Sequence, residues 1–102
     1  MSVIIDFSIF PMGTGDQSLS PYVARVLDII KSSGLPHRLG PMGTSIEGDW
    51  ADVMAVVDAC YRDLEQDNDR IYLNIKIDSK KGRTNGIATK VESVLAKSTR
   101  KI

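Results

Sequence analysis

Glu47 is the residue of this chain that packing alone explains least well. It stands in the run Gly43-Thr44-Ser45-Ile46-Glu47-Gly48, where small residues let another molecule or subunit approach the backbone closely. A carboxylate in that setting can pair with a cation or accept a hydrogen bond from an amine. The same residues allow an anchoring role, in which Glu47 serves the N-terminus of the helix that follows or meets Lys76 or Arg38. Phe10, Tyr72 and Trp50 offer flat surfaces on which a heteroaromatic ring can stack, although each taken singly also suits a packing role. Asp6, Ser8, Thr44, Ser45 and Asn74 are the polar groups available to orient such a ring in a mostly apolar site.

Other chemistries are less well served. Met12-Gly13-Thr14-Gly15-Asp16-Gln17-Ser18 lacks the third glycine of a dinucleotide fingerprint and the Gly-Lys-Ser/Thr ending of a phosphate loop. It reads as a connection into a helix. A lone cysteine excludes an internal disulfide, and one cysteine with one histidine makes no zinc set. Cys60 shares an apolar helical stripe with Val53, Val56, Val57 and Leu64, so a buried thiol is expected. His37, between Pro36 and Arg38, reads as structural or rim-facing. No pair of residues makes a good nucleophile with its base, and the residues call for no metal and no cofactor, although fold alone never excludes a small enzyme. Thirteen basic residues balance thirteen acidic ones, which gives no reason to expect nucleic acid. The Lys80-Lys81-Gly82-Arg83 cluster reads as a solvated turn.

These residues need elements to position them. Alternation of Val3, Ile5, Phe7 and Ile9 with Ile4, Asp6, Ser8 and Phe10 predicts a strand ended by Pro11. Ser20 is an N-cap candidate with Pro21 at the first helical position, and Val23, Val26, Leu27 and Ile30 recur at helical spacing up to Gly34. A short strand over 37–39 and a return strand over 44–47 flank the turn at 40–43. Asp49 is the expected cap of a second helix over about 50–66. A strand over 70–78 sets Ile71, Leu73, Ile75 and Ile77 against Tyr72, Asn74, Lys76 and Asp78. A third helix begins near Asn85, presents Ile87, Val91, Val94 and Leu95, and ends among Lys97, Arg100 and Lys101.

The order is β-α-β-β-α-β plus a final helix. It predicts an α+β, ferredoxin-like sandwich of one domain over 1–102, with helices on one face of an antiparallel sheet. The opposite face carries Ile4, Asp6, Ser8 and Phe10 with Tyr72, Asn74, Lys76 and Asp78, beside either Thr44 and Ile46 or Ser45 and Glu47. That mixed composition suits a ligand or a second copy of the chain. No run reaches membrane-spanning length and no signal sequence opens the chain, so a soluble cytoplasmic protein is expected.

Several segments, in their order and spacing, resemble one family. They are Ser8-Ile9-Phe10-Pro11-Met12-Gly13 with Gly15, Ser18 to Ala24, Ser33-Gly34-Leu35, Pro41 to Trp50, Arg70-Ile71-Tyr72, Ile75 to Asp78 and Lys90 to Val94. The chain is similar to the small YkoF-like thiamine-binding proteins. That resemblance implies a ferredoxin-like fold, homo-oligomerisation and non-catalytic binding of thiamine or its hydroxymethylpyrimidine moiety. With the mixed sheet face it points to a homotetramer, a dimer of dimers, whose ligand meets Asp6, Ser8, Phe10, Thr44, Ser45, Glu47, Tyr72 and Asn74. The alternative is a structural or regulatory oligomer in which the polar sheet face is only a subunit interface.

Overall fold

A computed structural model of the chain describes residues 2–15 and 18–99. Asp16 and Gln17 of the glycine-containing loop, and the basic residues Arg100 and Lys101, lie outside the described residues. Strand β1 (Ser2–Pro11), helix α1 (Ser20–Ser33), strands β2 (His37–Leu39) and β3 (Thr44–Asp49), helix α2 (Trp50–Glu65), strand β4 (Ile71–Lys80) and helix α3 (Gly86–Lys97) follow in that order. The strands make one antiparallel sheet ordered β2-β3-β1-β4. This is the split βαβ arrangement of the ferredoxin-like fold, with α3 added.

The period of two along β1 decides which face is covered. Val3, Ile5, Phe7 and Ile9 are all buried, and they form one core with Ile46 of β3, Val26 and Ile30 of α1, and Val53, Val56, Val57, Cys60 and Leu64 of α2. The two helices are stapled together by Arg25 of α1, whose Nε lies 3.0 Å from Asp63 Oδ2 and whose Nη1 lies 2.8 Å from Asp67 Oδ2. Gly34 ends α1 in the left-handed conformation, at φ 73°.

Helix starts differ in detail from expectation. Leu19, not Ser20, holds the cap position of α1, and Ser18 Oγ instead accepts from the Ser20 amide at 3.3 Å. Asp49 does occupy the cap position of α2, but its side chain makes no capping hydrogen bond. On β4 the expected parity holds while the expected burial does so only in part. Ile71 and Ile75 pack on the core, whereas Leu73 and Ile77 stay exposed.

The largest departure concerns α3. Register places Ser45 opposite Asp6 and Glu47 opposite Ile4, so these two residues of β3, and not Thr44 and Ile46, share the face away from α1 and α2. The N-terminus of α3 sits on that face, against Ile4 and Glu47. The start of α3 therefore covers one end of that face, and the rest of it stays open.

The register also leaves the strands unequal. The β1–β3 ladder runs from Ser2↔Asp49 to Phe7↔Thr44 and stops. The β1–β4 ladder continues to Pro11↔Ile71. Ser8, Ile9, Phe10 and Pro11 thus run past the end of β3 with a neighbour on one edge alone.

Candidate functional site

A cavity of about 460 Å³ fills the place that a longer β3 would occupy. Its floor is the overhang of β1, its wall is Leu19 at the start of α1 with Val23 and Val26, and its rim is the β2–β3 turn from Leu39 to Gly43. Phe10 and Tyr72, partners in the β1–β4 ladder, stack with ring centroids 5.5 Å apart at 25° between planes. This is the offset geometry that aromatic pairs favour. Ser8, Thr44 and Asn74 add a few polar groups to a lining that is otherwise apolar. Such proportions suit a small, flat, partly polar molecule.

The turn is held to the sheet by close backbone approach. The Gly40 amide donates to the Gly43 carbonyl at 2.8 Å. A Cβ on Gly43 would lie 3.0 Å from the Phe7 carbonyl oxygen and 3.1 Å from Asp6 Oδ1, so a side chain there would push the turn off β1. Between these glycines Met42 lines the cavity while remaining 88% exposed.

Of the residues singled out from sequence, Ser8, Phe10, Thr44, Tyr72 and Asn74 come together in this cavity. Asp6 and Ser45 border shallower depressions that adjoin it on the other side of the turn, with Met42 and Gly43 shared. Asp6 is 3.8 Å from Lys76 across the ladder. Trp50 is exposed and does not line the cavity.

Glu47 is elsewhere. Only 5% of it is exposed, and its Oε2 accepts from the Gly86 amide at 2.7 Å while Oε1 accepts from the Ile87 amide at 3.2 Å. A buried carboxylate is stable here because two orphan amides and the positive end of the α3 dipole face it. Both carboxylate oxygens are thus engaged as an anchor, and the helix they anchor is α3 and not the adjacent α2. The fit is tight, since a Cβ on Gly86 would lie 2.6 Å from Ile4 Cδ1 and 2.7 Å from Arg83 Cδ. Arg83 in turn reaches Asp78 Oδ2 at 2.8 Å, and Lys90 of α3 reaches the same oxygen at 2.7 Å. Lys90 first, and Arg83 with it, hold the Asp78 carboxyl below the ordinary aspartate range. The basic turn at 80–83 is thus partly structural.

His37 Nδ1 is engaged with the Leu35 carbonyl at 2.9 Å. Cys60 is buried in the core, and burial pushes its thiol up to about 11. Among the described residues no group of His, Cys, Asp and Glu is arranged to hold a metal ion, and no helix is long and apolar enough to cross a membrane.

Fold and cavity together describe a small α+β protein with a ligand-sized, aromatic-floored recess beside a truncated sheet. The chain belongs to the thiamine-binding protein family, whose model matches residues 5–95. It is 37% identical over 95 residues to the UPF0045 protein MT1949 of Mycobacterium tuberculosis, covering 92% of each chain. Among solved structures it is similar to the protein MJ1052 of Methanocaldococcus jannaschii, with TM-score 0.82, 30% identity and coverage of 91% of this chain and 95% of that one. It is also similar to TM0486 of Thermotoga maritima, described as a proposed thiamine biosynthesis/salvage protein. There the TM-score is 0.76, with 28% identity and coverage of 90% of this chain and 99% of that one.

Sequence reasoning missed Leu19, Val23, Val26, Ile9 and the turn residues 39–43 as cavity lining. The signal for the turn was present in its Gly-Pro-Met-Gly composition. The α1 residues carried none, because their apolar spacing is that of any core-facing helix.

Proposed function

We propose that this protein binds thiamine or a related hydroxymethylpyrimidine without transforming it, and so sequesters, carries or senses that compound. The observation that carries the reading is the cavity of about 460 Å³ with Phe10 and Tyr72 on one side, Val23 and Val26 on another, and Ser8, Thr44 and Asn74 as its polar minority. An aminopyrimidine has an apolar face to stack and an edge of donors and acceptors to satisfy, which is what such a lining offers. Membership of the thiamine-binding family and likeness to a proposed thiamine biosynthesis/salvage protein support the choice of ligand.

In this reading the protein works as a homo-oligomer, a tetramer built from dimers. Support comes from α3, where Val91, Val94 and Leu95 stand exposed at helical spacing, an apolar stripe that the described residues leave uncovered. The same stripe favours the second reading, a structural oligomer that binds no small molecule. A thermal-shift series with thiamine, its phosphates and hydroxymethylpyrimidine separates them. Ligand at one hundred times its dissociation constant adds about 2.7 kcal/mol of stability. A flat response to every compound rejects the binding reading. Light scattering behind size exclusion reads the oligomer, and a monomeric mass at micromolar protein rejects it.

A further inference from the structure

The overhang of β1 leaves main chain without a ladder partner, and parity decides which main chain. The Met12 amide donates to the Arg70 carbonyl at 2.9 Å, which continues the β1–β4 register one step beyond Pro11↔Ile71 and marks that step as a hydrogen-bonded pair. In an antiparallel ladder such pairs alternate with non-bonded ones. Phe10 and Ser8 therefore turn their N–H and C=O groups toward β4, and Ile9 turns both of its groups the other way. On that side the β3 ladder has ended at Phe7↔Thr44. The residue that would continue it opposite Ile9 is Met42, which the β2–β3 turn carries out into solvent.

Ile9 lines the cavity, and no described residue pairs with its main chain on that edge. Ile9 as a whole, side chain and main chain together, is 4% exposed, so its unpaired groups lie at the buried wall of the cavity and not in open solvent. An unpaired donor and acceptor beside an apolar wall must be met by water or by a ligand. Edge backbone of this kind is the group that extended peptides use when they add to a sheet. The cavity, however, is bounded by α1 and the turn, and is of small-molecule size.

We propose that the vacant main-chain edge at Ile9 is the recognition element of the site. Its N–H donates to a ring nitrogen and its C=O accepts from the neighbouring exocyclic amine of an aminopyrimidine. The inference rests on the ligand class proposed above and adds the polarity of the edge that is read. A ring carrying amine beside ring nitrogen satisfies both groups at once. An oxo group in place of the amine brings an N–H onto the neighbouring ring nitrogen, so donor and acceptor exchange places and the pair at Ile9 is met only if the ring turns over.

Two measurements on the intact protein test this. The first needs no ligand: hydrogen exchange resolved by residue should find the Ile9 amide fast while the Ser8 and Phe10 amides, paired with β4, are slow. A slow Ile9 amide in the free protein shows that the edge is already occupied and overturns the proposal. The second is calorimetric titration with hydroxymethylpyrimidine and two analogues, one with methyl and one with oxo in place of the exocyclic amine. Binding should weaken about tenfold for methyl, which leaves the Ile9 carbonyl unmatched, and at least as much for oxo, whose donor and acceptor stand in reversed order in the orientation that the amine compound takes. Saturating hydroxymethylpyrimidine should slow exchange at Ile9. Equal affinity for all three compounds, or a bound state in which Ile9 still exchanges fast, overturns the edge reading while leaving pyrimidine binding in place. A wild-type protein that binds none of them removes the ligand class itself, and the edge then holds only water.

Discussion

At its first residues β1 has neighbours on both edges and cover on both faces, with the α1–α2 layer below and the start of α3 above. From Ser8 onward it has lost β3 and borders a cavity. The filled end contains a buried carboxylate, and the open end has no charged side chain among the described residues that line it. The contrast separates two uses of polarity. Where space is filled, a charge is tolerated because amides and a helix dipole compensate it. Where space is left, neutral hydroxyl, amide and main-chain groups suit a ligand that arrives uncharged along its reading edge.

The strongest way to break this comparison is at Glu47. Glu47→Ala leaves the Gly86 and Ile87 amides without their acceptor and is expected to cost about 2–3 kcal/mol, roughly 10 °C or more in melting temperature. Ligand affinity at the far end of the sheet should be nearly unchanged. Calorimetric melting with a parallel titration checks both, and a variant that melts normally but binds poorly would return Glu47 to the ligand site.

Tyr72→Ala is the mirror experiment. Removing one ring of the Phe10–Tyr72 stack should weaken pyrimidine binding by about 1–2 kcal/mol, roughly five- to thirtyfold, with little change in the ligand-free melt because Tyr72 is substantially exposed. A large drop in melting temperature with intact affinity would make the stack part of the scaffold. Met42→Ala sharpens the picture further. If the exposed thioether folds onto bound ligand, affinity should fall by under about 1 kcal/mol, fivefold at most, and Met42→Leu should restore it. An equal loss in both variants would show that the turn's backbone, not apolar bulk, matters there.

The smallest effect lies away from both ends. Arg25 holds the Asp67 carboxyl below its ordinary range, and Lys90 with Arg83 does the same for Asp78. The folded state then binds fewer protons than the unfolded one in mild acid. The stabilisation from these groups is complete above the ordinary aspartate pKa and is lost as pH falls through the depressed values. Denaturant midpoints should decline below about pH 4 and change little between pH 5 and 8. Arg25→Gln should flatten the Asp67 part of that decline.

Much of this architecture is legible in residue order. The alternation in β1, the stripe from Val53 to Leu64 and the Gly34 stop each arise from interactions within a few residues, so local pattern reports them faithfully. Glu47 was legible as a misfit, since a carboxylate between small residues in a short strand calls for a partner. The partner was not legible. It lies in the Gly86 and Ile87 amides, and local chemistry favours the adjacent start of α2 equally well.

Sequence alone therefore determined the elements, their order, the core stripe and the polar and aromatic residues available to a ligand. Tertiary structure decided which of them meet. The cavity exists because β1 is longer than β3 and because their register, Phe7 opposite Thr44, puts the overhang at the Ser8–Phe10 end. It opens a main-chain edge at Ile9 because parity against β4 turns that residue, and not its neighbours, toward the gap. Register and parity are properties of pairs of strands distant in the chain, and no single stretch of residues encodes them.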